Sequence, residues 1–201
     1  MAPPGGAPFL VNGSSRSILP VGDSKTIADP GYVPGLLSGL DNATEFKWLE
    51  SPGRLARPGY TAALWAAQID ADIAASTGIP DFVLVNIGSN DIEPLADPLV
   101  EAAWKADFAY VLDAINTAYP TAQVYVMQIW RRYNNGDITA MNDTWIPAVL
   151  STRSTWVEVG PDERGFLEGG DDGATYTADG IHPNAAGYAL TATQWQSKMG
   201  Y

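Results

Sequence analysis

Short runs of consecutive apolar residues recur along this chain, and between them apolar residues return every three or four positions. The first run, Ser17-Ile18-Leu19-Pro20-Val21, stops at Gly22-Asp23-Ser24 and predicts a strand that feeds a tight turn. Residues 28–41, rich in Gly and Pro, read as a loop carrying one short helix, and residues 45–50 as a short second strand. Leu64, Trp65, Gln68, Ile69 and Ile73 fall near helical spacing and predict a helix over 61–75. Phe82, Val83, Leu84, Val85 and Ile87 form a nearly unbroken apolar run over 81–87, which suits a parallel strand buried on both faces. Val100, Trp104, Phe108, Val111, Leu112 and Ile115 line one face of a helix over 98–119, which Pro120 stops. A strand over 124–129, a helix over 142–153, a strand over 155–159 and a closing helix over 184–198 complete the series.

Strands that alternate with helices predict an α/β class. The expected architecture is a three-layer α/β/α domain, flavodoxin-like, with a parallel sheet of about five strands. Such sheets gather chemistry at the carboxyl ends of their strands. Ser24 follows the first strand, Asn90 the 81–87 strand, and Asp179 and His182 the last strand after a long loop. Residues 16–201 read as one domain, and residues 1–15, opening on Met1-Ala2-Pro3-Pro4-Gly5-Gly6, as a flexible lead-in.

Composition narrows the classes. The chain has 201 residues, 46% hydrophobic and 17% charged, an ordinary balance for one folded domain. Its net charge of -12 repels polyanions, so no nucleic acid partner is expected. With no cysteine, disulfides, thiolate catalysis and zinc–thiolate sites are excluded. No apolar run is long enough to span a bilayer, so no membrane insertion is expected, and the start lacks the regions of a signal peptide. A secreted chain, or a part of a larger extracellular or virion protein, is favoured over a cytoplasmic one. Oligomeric state is not legible.

The chain has one histidine, His182, in Asp179-Gly180-Ile181-His182-Pro183. A histidine base is the usual activator of a serine nucleophile, and an aspartate three residues upstream can meet the ring nitrogen that faces away from the serine. Gly88-Ser89-Asn90-Asp91 follows the buried strand, where Asn90 can aim its amide at a developing oxyanion. Gly59, in Arg57-Pro58-Gly59-Tyr60, can offer an unobstructed backbone N–H. Each residue alone also has a plainer reading. Ser24 can be a turn residue or a helix cap, Gly59 a turn glycine, Asn90 part of a strand-to-helix turn, and a lone histidine structural.

The ordered set of Gly-Asp-Ser near the start, Gly59, Gly-x-Asn-Asp after a central strand and Asp-x-x-His-Pro near the end resembles the four sequence blocks of the SGNH (GDSL-like) hydrolase family. The Gly59 block is the loosest, with Ala56, Arg57 and Pro58 where the family often shows an Asn. Asn184-Ala185-Ala186-Gly187-Tyr188 is similar to the family's lead into its final helix. The resemblance implies a serine esterase that works through an acyl-enzyme and needs no cofactor. It implies Ser24 as nucleophile, His182 as general base and then acid, and Asp179 as the residue orienting His182. It also implies an oxyanion hole of the Ser24 and Gly59 backbone N–H groups and the Asn90 side chain.

Other motifs fall away. The chain has no Gly-x-Ser-x-Gly elbow, no Gly-x-Gly-x-x-Gly, and only one histidine for a His-Glu-x-x-His site. Glu168, Asp171 and Asp172 can be read as a calcium loop, but a solvated Gly-rich loop is the simpler reading and no metal is expected. Asn42-Ala43-Thr44 and Asn142-Asp143-Thr144 match glycosylation acceptors. Trp130-Arg131-Arg132-Tyr133-Asn134-Asn135 follows a strand's carboxyl end, so Trp130, Arg131 and Tyr133 are expected to rim the site and bind a sugar face. Lys25, Thr26, Asp29, Asp91 and Glu93 are expected to surround Ser24 and to be costly neighbours for a long alkyl chain. These features point to a glycan or small-molecule ester substrate with an acetyl or other short acyl group. The alternatives are a lipid-ester or thioester hydrolase and, in another class, a carbohydrate-binding or virion adhesion module with a spent site.

Overall fold

The computed structural model describes residues 16–27, 32, 36, 46–48, 55–91, 97–131, 135–167 and 175–199. The expected lead-in at 1–15 lies outside the described residues. In chain order the strands are β1 (Arg16–Gly22), β2 (Phe46–Trp48), β3 (Leu55–Ala56), β4 (Phe82–Asn86), β5 (Gln123–Gln128) and β6 (Val157–Asp162). The helices are α1 (Ser24–Ile27), α2 (Ala62–Ala75), α3 (Pro98–Ala118), α4 (Asn135–Ala140), α5 (Ile146–Ser151), α6 (Arg164–Leu167) and α7 (Ala185–Met199). Tyr32 and Leu36, the described residues of the 28–41 segment, are both helical.

All strand pairs are parallel, in the order β2-β1-β4-β5-β6. That is the flavodoxin-like order, and the direction of winding reverses between β1 and β4. The two-residue β3 pairs with Val21 and Gly22, where β2, paired with Arg16–Ile18, has left off. The sequence reading lacks β3 because two residues have no periodicity to detect. The last strand, expected at 155–159, runs to Asp162 through Gly160 and Pro161. Those two residues read as breakers, yet a Cβ on Gly160 would meet the Trp195 ring at 2.8 Å, so the glycine is there for close helix packing.

Alternation along each strand divides the core. Leu19, Val21, Val83, Val85, Val124 and Val126 face one cluster with Trp65, Ile69, Phe108, Val111 and Leu112 from α2 and α3. Ile18, Phe82, Leu84, Tyr125 and Met127 face the other, with Tyr188, Trp195 and Met199 of α7 and with Tyr32 and Leu36. Burial on both faces is why the central strands read as unbroken apolar runs. The helices begin where the sequence signals them: Thr61 accepts from Leu64 N–H to cap α2, and Asp97 accepts from Leu99 N–H to cap α3 ahead of Pro98. The helix expected at 142–153 differs most, since α4 and α5 are joined by a π turn at Met141–Trp145. There the buried Asn142 side chain accepts from Ile129 N–H at 2.9 Å and donates to Ile129 C=O at 2.6 Å. Asn142 is thus a tie to the end of β5 and no surface acceptor for a glycan. Among the described residues, no helix is long and apolar enough to cross a membrane.

Candidate active site

The turn after β1 is set by close packing. A Cβ on Gly22 would lie 2.2 Å from Thr26 Oγ1 and 2.6 Å from Asn86 C=O, so only glycine lets α1 start directly on the sheet. The Asp23 side chain is buried and accepts from Lys25 N–H at 3.0 Å, while Asp23 C=O accepts from Thr26 N–H at 3.1 Å. Ser24 opens α1 and is half-buried.

Two further loops meet this turn. Tyr60 N–H bonds to Arg57 C=O at 3.2 Å around Pro58 and Gly59, and Gly59 has φ 76°, so the segment is a type II turn with Pro and Gly in their favoured places. A Cβ there would meet nothing within 4 Å, so the backbone angle, and not crowding, calls for glycine. Arg57 anchors the turn by two bonds to Asp72 on α2, at 2.7 and 2.6 Å. After β4, Asn90 Nδ2 lies 3.2 Å from Tyr60 C=O and 3.3 Å from Asp23 Oδ2. Ser89 Oγ donates to the same Asp23 oxygen, and Arg131 Nη1 holds Ser89 C=O at 2.8 Å. Asp91 accepts from Ala62 N–H, with its oxygens at 3.1 and 3.2 Å, and so joins the Asn90 loop to the start of α2. Burial pushes the Asp91 carboxyl up to about 6, against the pull of the Ala62 N–H and with help from the Asp23 and Asp107 carboxylates.

The last loop is closed on itself. Ala178 N–H bonds to His182 C=O at 2.9 Å, Asn184 N–H bonds to Tyr176 C=O at 2.8 Å, and Thr177 bridges to Pro183. Asp179 Oδ1 accepts from Ile181 N–H at 2.9 Å and His182 N–H at 2.7 Å, and Oδ2 lies 2.7 Å from His182 Nδ1. Burial raises this carboxyl, but the bonds from His182 and Ile181 outweigh it and hold Asp179 at about 2. His182 Nε2 lies 2.8 Å from Ser24 Oγ. Ser24, His182 and Asp179 therefore form one continuous hydrogen-bonded chain, with Gly59 and Asn90 on the loops beside it.

The expected substrate rim needs correction. Trp130 is only 3% exposed, so its ring lies in the interior and offers no open face to a sugar. Its backbone C=O accepts from Lys25 Nζ at 2.6 Å and its N–H donates to Glu163 Oε2 at 2.9 Å. Arg131 is half-buried against the Ser89 loop, and Tyr133 lies outside the described residues. The polar surround expected of Ser24 also differs. Lys25 and Thr26 are buried, Asp91 bonds to α2, and Asp29 and Glu93 lie outside the described residues. Asp23, Ser89 and Glu163 are the site residues that sequence reasoning missed. The one available signal was a charged residue on each side of Ser24, directly after an apolar strand. Among the described residues no cluster of three or more His, Asp or Glu side chains could hold a metal, and Glu168, Asp171 and Asp172 lie outside them.

Solved structures share this fold. A family 3 carbohydrate esterase of Clostridium thermocellum superposes with a TM-score of 0.70 at 20% identity, covering 92% of this chain and 95% of its own. A carbohydrate esterase family 3 structure from Talaromyces cellulolyticus gives 0.70 at 20%, covering 92% and 96%. TesA gives 0.72 at 21%, covering 92% and 98%. At such identities these likenesses speak for the fold alone. A search of curated proteins returns no match. The profile of the GDSL-like Lipase/Acylhydrolase family matches residues 21–190, from the end of β1 into α7, and the chain belongs to that family of carboxylic ester hydrolases.

Proposed function

We propose that this chain hydrolyses short-acyl esters of carbohydrates, acetyl esters foremost, through an acyl-enzyme on Ser24. The observation that carries the reading is the unbroken chain Ser24 Oγ–His182 Nε2–Nδ1–Asp179 Oδ2, at 2.8 and 2.7 Å. As Ser24 Oγ attacks the ester carbonyl, His182 Nε2 takes its proton, and the Asp179 carboxylate, bonded to Nδ1–H, stabilises the imidazolium. The carbonyl oxygen becomes an oxyanion beside the Ser24 and Gly59 N–H groups and the Asn90 amide. The Asn90 amide is held by two long bonds, at 3.2 and 3.3 Å, so turning one N–H to the oxyanion needs only a small movement. His182 then gives its proton to the leaving alkoxide. In the second half His182 takes a proton from water as its oxygen attacks the acyl carbon, then returns that proton to Ser24 Oγ as the acyl–Oγ bond breaks, which frees the acid and restores Ser24 and neutral His182.

The sugar-ester part is supported by the family 3 carbohydrate esterases among structures of the same fold. It is also supported by the openness of the site: the Asp179 and His182 side chains are 53% and 39% exposed, which suits a bulky polar alcohol. The test is release of acetate from acetylated glycans and of nitrophenol from nitrophenyl acetate, each with a Ser24→Ala control. Binding of the glycans without Ser24-dependent acetate release would instead make the chain a binding module.

A further inference from the structure

Directly behind Ser24 a lysine and a glutamate meet in the interior. Lys25 Nζ lies 2.7 Å from Glu163 Oε2, and each side chain is 1% exposed. Lys25 Nζ also donates to Trp130 C=O at 2.6 Å, and the same Glu163 oxygen accepts from Trp130 N–H at 2.9 Å. One ion pair thus joins the segments that leave β1, β5 and β6. Removing two charges from water is costly, and apolar residues of similar volume serve stability as well or better. The family's name spells Gly-Asp-Ser-Leu, and a leucine after the serine would be such an apolar solution; here the residue is Lys25.

What the pair joins gives it a role. Lys25 is the second residue of α1, a four-residue helix that Ser24 opens. Glu163 stands where the chain leaves β6 for α6, and its C=O accepts from Leu167 N–H at 2.8 Å. Beyond α6 the chain leads to the Asp179–His182 loop. Ser24, the neighbour of Lys25, and His182, beyond α6, meet at 2.8 Å although they lie 158 residues apart in sequence. We propose that Lys25 and Glu163 are positioning residues, which lock the Ser24 turn against the β6 end of the sheet and so set the Ser24–His182 distance across which the proton moves. The inference rests on the esterase reading above. Neither residue touches substrate.

The test compares wild type, Ser24→Ala, Glu163→Gln and the double variant Lys25→Met/Glu163→Gln, by nitrophenyl acetate kinetics and thermal melting. Glu163→Gln keeps the shape and an acceptor for Trp130 N–H, and the double variant leaves no lone buried charge. Small misplacements of reacting groups cost up to about a hundred-fold, so kcat should fall about ten- to a hundred-fold in both, with KM within about two-fold of wild type. A pair with only a structural role would lower the melting temperature and leave kcat unchanged well below it. Wild-type kcat in folded Glu163→Gln or in the folded double variant overturns the proposal, as does an effect confined to KM. If Glu163→Gln, which leaves the Lys25 charge without its carboxylate, melts below the assay temperature, the double variant decides. Absence of Ser24-dependent turnover in the wild type overturns the esterase reading and this inference with it, whereas Ser24-dependent turnover that survives loss of the pair overturns this inference alone.

Discussion

Ser24 Oγ can attack an ester only by giving up its proton, and among the described residues the base within hydrogen-bond distance is His182 Nε2. Ser24→Ala and His182→Ala should each remove nearly all turnover, by up to about a million-fold as in a comparable triad. Ser24 and His182 are both half-buried at the surface, so melting temperatures should move little; near-wild-type turnover in either purified variant would sink the mechanism. Asp179, held at about 2, stays ionised wherever the protein is assayed. Asn90→Ala should lower kcat by about a hundred- to a thousand-fold with little change in KM, the expected loss of one oxyanion donor. An effect on KM alone would make Asn90 a substrate-binding residue.

At the scale of elements, two glycines separate packing from backbone geometry. Gly22→Ala forces a Cβ against Asn86 C=O and Thr26 and should destabilise by about 1–3 kcal/mol while disturbing the Ser24 turn. Gly59→Ala meets open space and incurs only the left-handed penalty, about 1–2 kcal/mol. Urea titrations of both variants, with kcat alongside, would show whether Gly22 alone couples stability to activity. Asp91 makes a pH prediction. Its carboxyl titrates at about 6 in the fold against an ordinary 3.8, so the folded state binds the proton more tightly. Between those values stability falls as pH rises, by about 3 kcal/mol in all, and the penalty is complete above about pH 6. Asp91→Asn keeps an acceptor for Ala62 N–H and should be more stable than wild type at pH 7.5, with the advantage gone at pH 4. Equal destabilisation at both would refute the argument. The central strands and the Asp179–His182 loop were legible in the sequence for local reasons: burial on both faces writes an apolar run, and a three-residue spacing closes the loop. The Lys25–Glu163 pair was not, because its members lie 138 residues apart and charged residues read as surface. Trp130 was misread for a similar reason. A strand's carboxyl end locates a residue near the site, but which way its side chain turns is decided by contacts that only the fold brings together.

For the whole molecule the question is which esters reach Ser24. The chain carries a net charge of -12, which opposes approach to anionic lipid surfaces. Ser24 stands at the carboxyl end of β1, inside the sheet between β2 and β4, and the Asp179 and His182 side chains beside it are 53% and 39% exposed. A long acyl chain gains from an enzyme only where an apolar slot takes it out of water, at about 0.8 kcal/mol for each buried methylene. With such a slot, kcat/KM would climb steeply from acetate to decanoate. Without such a slot there is no such gain, and the binding energy must come from the alcohol side of the ester. We therefore expect acetate to be preferred over acyl groups of about eight carbons or more. The measurement is kcat/KM across nitrophenyl esters from acetate to decanoate, each below its micelle limit, with Ser24→Ala subtracted. A profile that is flat or falls with length supports the sugar-ester reading. A steady rise to the longest chain would mean that an apolar groove runs from Ser24, and would make the chain a lipid-ester hydrolase.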